Sequence, residues 1–268
     1  MILTDVIIPY WEGSSPQELN KSLNSLKKEI SLINKLIIVC DGKNSFFNLK
    51  IEDQDIIEKT LIIYLKENNG AGKARNIGVI FSEAENLLFL DAGDLCIDNR
   101  ISIQNKALKK NYVSIGAIRE INSIGLNRLK PSFKNVKMAR RILPYRNPFN
   151  NVTIGIKRKF FNEIGGYGQT RIGEDWILTG KILKKTNKID VEEKVLVLVN
   201  IKSDFLKRRR GKKIYLEIKK SLEELHKLEI INLYELKISK IIQKITRVYF
   251  SKELLSLVYK LNRKETNN

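Results

Sequence analysis

Four short apolar runs, separated by stretches with helical spacing, constrain this chain more than any other feature. They lie in TDVIIP (4–9), LIIVC (36–40), IIYL (62–65) and LLFL (87–90). A strand with one solvated face alternates apolar and polar residues, whereas a continuous run suits a strand covered on both faces. After the first run, Ser15, Pro16 and Glu18 supply a helix N-cap, a first-turn proline and a capping-box acid. Leu19, Leu23, Leu26 and Ile30 then recur on one helical face. A second helix is expected over about 71–83. The pattern predicts an α/β layer structure over the first hundred residues, a mostly parallel sheet flanked by helices.

The middle of the chain is less regular. YVSIG (112–116) and VTIGI (152–156) read as strands, and the basic stretch between them, with Pro131, Pro144 and Pro148, is expected to wrap an opening. A short helix through Phe160 and Phe161 should stop at Gly165-Gly166, and another should begin near Glu174. From about 213 the spacing of Ile214, Ile218, Leu222 and Leu225, then of Ile238, Ile241, Ile242 and Ile245, predicts helices to the end. The longest apolar runs are too short to span a bilayer, and Asp5 stands where a leader would be basic, so neither a membrane span nor a signal peptide is expected. Cys40 and Cys96 are read as reduced core residues, which points to the cytoplasm.

Charge is unevenly placed. The 268 residues carry 49 Lys+Arg and 30 Asp+Glu, a formal +19, yet residues 1–100 hold 11 basic and 15 acidic side chains. Residues 101–160 hold 14 and 1, and residues 201–268 hold 18 and 8. Such an excess favours an anionic partner, and charge alone does not rank nucleic acid, phosphorylated substrate and acidic lipid.

Two carboxylates stand directly after apolar runs, Asp41 after LIIVC and Asp91 after LLFL. Ligands of open parallel sheets bind beyond the carboxyl ends of the strands, so both should face one crevice. Between them, NGAGKARNIG (69–78) resembles a phosphate loop but lacks the third glycine of a dinucleotide fingerprint and the Ser/Thr of a P-loop. What remains is a glycine-rich helix start carrying Lys73 and Arg75, suited to a diphosphate near the helix N-terminus.

Taken in order, DVIIPYWEG, IIVCDG, NNGAGKARNIG, FLDAGDL, FFNEIGGYG and GEDWIL resemble the family 2 glycosyltransferases of the GT-A fold, over about residues 4–211. RNPFNNVTIGIKRKFFNEIGGYG and KRRRGKKIYLEIK are similar to the subgroup that builds capsular, exopolysaccharide or O-antigen repeat units. The resemblance implies a GT-A domain over 1–211, with a nucleotide-sugar half (1–100) and an acceptor half (101–211), followed by a basic helical C-terminal extension (212–268). It implies that Pro9, Tyr10, Trp11 and Glu12 flank the nucleoside, that Asp41 accepts from the uracil ring, and that Gly72 and Arg75 lie by the nucleotide. Asp91 would begin a DXD-like element near ribose and metal. Asp175 matches the family's base, with Glu174 beside it, while Asn150 and Trp176 fall on the acceptor side; a core position for Trp176 is the other reading.

Departures matter as well. Gly93 stands where the family's second DXD aspartate would be, and the late-loop histidine ligand of many relatives has no counterpart in 199–203. Either Asp94 joins Asp91 in holding Mn2+ or Mg2+ together with diphosphate oxygens and water, or Lys202 and Arg208 to Arg210, Arg209 among them, neutralise the diphosphate without a metal. His226 is expected on the surface. The Gln-x-x-Arg-Trp element of processive synthases is absent, so the resemblance implies inverting transfer of one sugar from a nucleotide-sugar, UDP-linked, to a glycan acceptor, lipid-linked, in surface polysaccharide synthesis. Helices mixing Ile/Leu with Lys would place the enzyme peripherally on an anionic inner membrane surface. Two other readings stay open: a catalytically weak or inactive protein of the same fold, and a basic nucleic-acid-binding protein, although no RNA-binding signature is present.

Overall fold

The computed structural model describes residues 3–42, 51–122, 126–133, 135–261 and 264–265. The strands are β1 (Thr4–Trp11), β2 (Ile33–Asp41), β3 (Thr60–Leu65), β4 (Asn86–Phe89), β5 (Leu95–Cys96), β6 (Val113–Ile121), β7 (Asn127–Lys130), β8 (Gly155–Lys157), β9 (Ile189–Asn200) and β10 (Lys264–Glu265). The helices are α1 (Pro16–Asn24), α2 (Gln54–Lys59), α3 (Ala71–Ile80), α4 (Arg100–Leu108), α5 (Val136–Ile142), α6 (Arg158–Glu163), α7 (Glu174–Lys185), α8 (Lys212–Lys227), α9 (Leu233–Lys244) and α10 (Lys252–Leu261).

One sheet runs in the order β10-β7-β6-β8-β4-β1-β2-β3, with β9 pairing to β6 and β5. The long ladders are parallel: β1 with β2, β2 with β3, β1 with β4 and β6 with β9. The antiparallel ladders are only two to four residues long. Because Cβ atoms alternate across a strand, Ile7 of β1 enters one core with residues of α3, α6, α7 and α8. Val6, Ile8 and Tyr10 enter a second core with residues of α1, α2 and α4. Each fully buried aliphatic side chain in these layers contributes about 1.5–3 kcal/mol. The continuous apolar runs are thus explained by helices on both faces.

Helix α1 has the expected capping box, with the Ser15 side chain on the Glu18 N–H and the Glu18 carboxylate on the Ser15 N–H. VTIGI is only partly a strand. Asn151–Thr153 forms a 3-10 turn and β8 begins at Gly155. The reason is side-chain competition for the backbone: Thr153 Oγ1 accepts the Gly116 N–H at 3.1 Å, and Asn150 Nδ2 donates to the Gly116 carbonyl at 3.0 Å. Those side chains occupy the ladder positions of β6 that a longer β8 would take.

The C-terminal helical extension packs on the sheet domain. Ile218, Leu222 and Leu225 of α8, Ile231 of the turn that follows and Leu236 of α9 lie in the same core as α7. His226 is half-buried, with Nδ1 3.0 Å from the Ile231 carbonyl, so it fastens the α8–α9 turn. The chain does not end in helix throughout, since β10 pairs with β7; residues 262–263 and 266–268 lie outside the described residues. Cys40 and Cys96 are both buried and form no disulfide. Among the described residues, no helix is long and apolar enough to cross a membrane.

Candidate active site

Parallel strands β1, β2 and β4 deliver their carboxyl ends to one side of the sheet. Asp41 closes β2 and is 4% exposed. Its Oδ1 accepts the Asn69 N–H and its Oδ2 the Gly70 N–H, both at 2.7 Å. Asp41 therefore anchors the turn that starts α3.

Arg75 projects from α3 and is buried. Its Nη2 donates to Asp91 Oδ1, and its Nη1 lies 3.6 Å from Glu174 Oε1. The guanidinium also sits 5.2 Å from the Tyr167 ring centroid. Burial alone would lower its pKa, but Asp91, Tyr167 and Glu174 together hold it above the ordinary arginine value. One cation thus joins the strand-end carboxylate to the acid at the head of α7. Gly72 makes this closeness possible. A Cβ there would meet Glu174 Cγ at 2.4 Å and Cβ at 2.8 Å, so the glycine admits Glu174 against α3.

Helix α7 opens with Glu174 and Asp175. Burial, followed by the Asp175 charge, pushes the Glu174 carboxyl up from 4.5 to about 7, with Arg75 opposing. Desolvation dominates here over the helix N-terminus, which favours the charged form. Asp175 Oδ1 accepts the Trp176 N–H at 2.8 Å, and Oδ2 accepts Asn147 Nδ2 at 3.0 Å. Both oxygens are oriented, and each keeps accepting capacity for an incoming hydroxyl. The preceding loop is pinned by α8: Ser221 Oγ donates to the Ile172 carbonyl at 2.5 Å and lies 2.9 Å from the Thr170 hydroxyl.

Three residues of this arrangement carried no role in the sequence reading. Asn147 orients Asp175, and Tyr167 covers Arg75 while its OH donates to Asn151 Oδ1 at 3.0 Å. Arg171 reaches Asn68 Oδ1 at 2.6 Å, clasping the turn before α3. The Asn-Pro at 147–148 and the Tyr within GGYG were visible, but pairings across 28 and 91 residues leave no local signal.

Several expected site residues are placed otherwise. Trp176 is 4% exposed and its indole N–H donates to the Leu143 carbonyl at 2.7 Å, so it belongs to the core and offers no face to an acceptor. Asn150 is 3% exposed and bound to strand β6, so it is interior as well. Pro9 and Tyr10 are buried, Tyr10 donating its OH to the Ser14 carbonyl at 3.1 Å. Trp11, 45% exposed, and Glu12 remain at the surface of the first loop. Lys202 Nζ is engaged by Glu18 Oε2 at 2.8 Å, and Arg209 lies 3.8 Å from the Phe205 ring centroid.

The acidic turn also differs from the expectation. The Asp94 N–H bonds the Asp91 carbonyl at 3.0 Å across Gly93, whose φ of 103° favours glycine. Asp94 turns inward at 7% exposure and accepts the Asn200 N–H at 3.1 Å. Burial and the Asp91 charge hold its pKa well above the ordinary value. Asp94 therefore does not stand beside Asp91 as an open ligand. Among the described residues no group of three or more His, Cys, Asp or Glu could hold a metal. The Asp91 side chain, 41% exposed, fits the manner in which Mg2+ is bound by one or two carboxylates plus substrate phosphates.

A sequence profile described as "Glycosyl transferase family 2" matches residues 5–165. The chain is similar to the amylovoran biosynthesis glycosyltransferase AmsE of Erwinia amylovora, with 24% identity over 211 residues, 77% of this chain and 79% of that one. It is similar to a UDP-Gal:alpha-D-GlcNAc-diphosphoundecaprenol beta-1,3-galactosyltransferase of Escherichia coli, with 26% identity over 251 residues, 91% of this chain and 89% of that one. In fold it is similar to S. aureus TarS 1-349 in complex with UDP-GlcNAc, at TM-score 0.57 and 21% identity, covering 92% of this chain and 73% of that one.

Proposed function

The chain belongs to glycosyl transferase family 2, and from that premise we propose that it transfers one sugar, non-processively and with inversion, from a UDP-sugar to a lipid-linked glycan in surface polysaccharide synthesis. The observation that carries this reading is the link from Asp91 through Arg75 to Glu174, with Asp175 next in the chain and oriented by Asn147. The UDP-binding fold neighbour and the diphosphoundecaprenol-using relative support the choice of donor and acceptor.

In the proposed step the acceptor oxygen bonds to the sugar C1 while the bond from C1 to the diphosphate breaks, and that electron pair leaves with UDP. The acceptor proton passes to Asp175. Asn147 and the Trp176 N–H hold the carboxylate, so the base meets the hydroxyl in one orientation. Arg75 holds Asp91 and Glu174 at fixed spacing. A divalent cation, Mn2+ or Mg2+, would be held by Asp91 with donor phosphate oxygens and would stabilise the charge of the leaving diphosphate. Exposed Ile241, Ile242 and Ile245 among the lysines of α9 suit a peripheral position on the anionic inner membrane surface.

The test is UDP release from a panel of UDP-sugars, with and without lipid-linked glycans. Asp175→Asn is expected to lower turnover about 10²- to 10⁴-fold with an unchanged melting temperature. Turnover within threefold of wild type in that variant, or no UDP release from any donor with acceptor present, would sink the reading.

A further inference from the structure

Outside the crevice, the chain from 203 to 211 and the segment joining α9 to α10 enclose a cavity of about 570 Å³, within the range of small-molecule sites, about 300–1,000 Å³. Its wall includes Lys207, Arg210, Arg247 and Lys252 against one carboxylate, Asp204. That carboxylate is paired with Arg208 at 3.1 Å, and among the described residues none of the four cations forms an ion pair. The two arginines are fixed by neutral groups: Arg210 Nη2 by the Phe250 carbonyl, Arg247 Nε by Gln243 Oε1 at 3.2 Å and Nη1 by the Arg209 carbonyl at 3.0 Å. Arg210 Nε is buried with no acceptor at all. A buried guanidinium N–H without a partner is costly. The charge of Glu253 interacts with Lys252 and Arg210, which still leaves the four cations in excess over the acids around them, a balance that suits an anion.

The cavity adjoins the chemistry. Its loop continues from β9, whose last residue, Asn200, donates to Asp94. Burial lowers the pKa of Arg209, on the turn Lys207–Arg209, and the charge of Asp175 is among the groups that oppose the shift, so this turn lies within electrostatic reach of the base. On the far side Lys252 starts α10, where Leu254, Leu257 and Leu261 follow at spacings of three and four and are 44%, 53% and 77% exposed. They form one uncovered apolar stripe leading away from the cations.

We propose that this cavity binds the diphosphate of a polyprenyl-diphosphate-linked acceptor, with the prenyl chain leaving along the α10 stripe. The assignment rests on the glycosyl-transfer reading above and locates the acceptor's anionic anchor at residues separate from those around Asp91. A charge-matched cavity next to an apolar stripe suits a ligand with a dianionic head and a hydrocarbon tail better than either a free phosphate or a neutral glycan.

Isothermal titration of the full chain with farnesyl diphosphate tests it, with farnesol, pyrophosphate, UDP and phosphatidylglycerol vesicles as separate arms. Farnesyl diphosphate should bind more tightly than pyrophosphate, farnesol should not bind, and UDP should not compete. Lys207→Glu/Lys252→Glu, at exposed positions that do not endanger folding, should weaken farnesyl diphosphate at least tenfold and move the UDP Kd less than twofold. Arg247→Met should weaken it similarly. Unchanged affinity in the charge-reversed variant overturns the proposal; so does competition by UDP, which would make the cavity a donor site, and so does charge-dependent binding of the vesicles alone, which would make it a headgroup site. Absence of UDP-sugar turnover by wild type would instead sink the glycosyl-transfer reading, with the farnesyl diphosphate result still measurable.

Discussion

The donor side and the basic side of this molecule handle charge in opposite ways. Around the strand ends the buried cation is paired: Arg75 with Asp91 and Glu174. Around 203–252, cations line a cavity whose one carboxylate is already paired with Arg208. Removing one partner of a buried ion pair leaves a desolvated charge, whereas the exposed Lys207 and Lys252 stay hydrated at little cost. Paired charges hold geometry; the others remain available to a ligand. Variants on the donor side should therefore lose stability along with activity, and variants on the basic side should lose binding alone.

The largest stability effect is expected at Arg75. Arg75→Met leaves Glu174 buried without its cation and should cost about 3–5 kcal/mol in urea unfolding. A loss below 1 kcal/mol would mean that the crevice is wetter than its burial indicates and would erase the contrast. Next is the pH dependence of Glu174. Its folded pKa of about 7 exceeds the ordinary 4.5, so the folded state keeps a proton that the unfolded chain has released. Stability contributed by this group is full below about 4.5 and is lost as pH rises through 7, by up to about 3 kcal/mol. Asp94 shifts in the same direction, so the readout is the difference between wild type and Glu174→Gln, which should widen in the variant's favour between pH 4.5 and 7.5. A flat difference would place Glu174 in an ordinary carboxylate environment.

Gly72→Ala tests the same contact sterically. The added Cβ meets Glu174 side-chain carbons below 3 Å, and overpacking of this kind costs about 1–3 kcal/mol. Glu174→Ala in the same chain should recover most of that loss, because the clash is with Glu174 first. A double variant as unstable as the sum of the singles would assign the cost to the Tyr167 side of the contact, 3.4 Å away.

Legibility followed the range of the interactions. The strands of the first half, the α1 capping box and the Gly165-Gly166 stop depend on neighbours a few residues apart, and period and cap residues display them directly. Asp91 and Glu174-Asp175 were also visible, as acids at the ends of apolar runs or helix starts. The jobs of Asp41, Gly72 and Asp94 were not: each is set by a partner 28 to 106 residues away. Trp176 shows the same limit, since an aromatic after two acids reads equally as sugar platform or core, and only the Leu143 carbonyl decides. In the basic half the spacing of Leu222 and Leu225 marks the inward face of α8, but nothing local shows that Ser221 ties that helix to the base-bearing loop.

Lys202 lies on the boundary between the two regions and gives the smallest expected effect. Its ammonium is 2.8 Å from Glu18 Oε2, and the two side chains are 38% and 23% exposed. Burial opposes the shift, but Lys202 and the Ser15 N–H hold the Glu18 carboxyl below its usual range. An exposed pair of this kind is worth less than about 1 kcal/mol, and Glu18 keeps its capping bond to Ser15 without it, so Lys202→Met should cost at most that. Glu18→Ala removes the cap as well and should cost more. If pairing marks a structural charge, Lys202→Met should also leave the Kd for UDP within twofold. A tenfold weakening would mean that Lys202 exchanges Glu18 for the donor diphosphate, and that a pair this exposed is a latch opened by the ligand rather than a fixture of the fold.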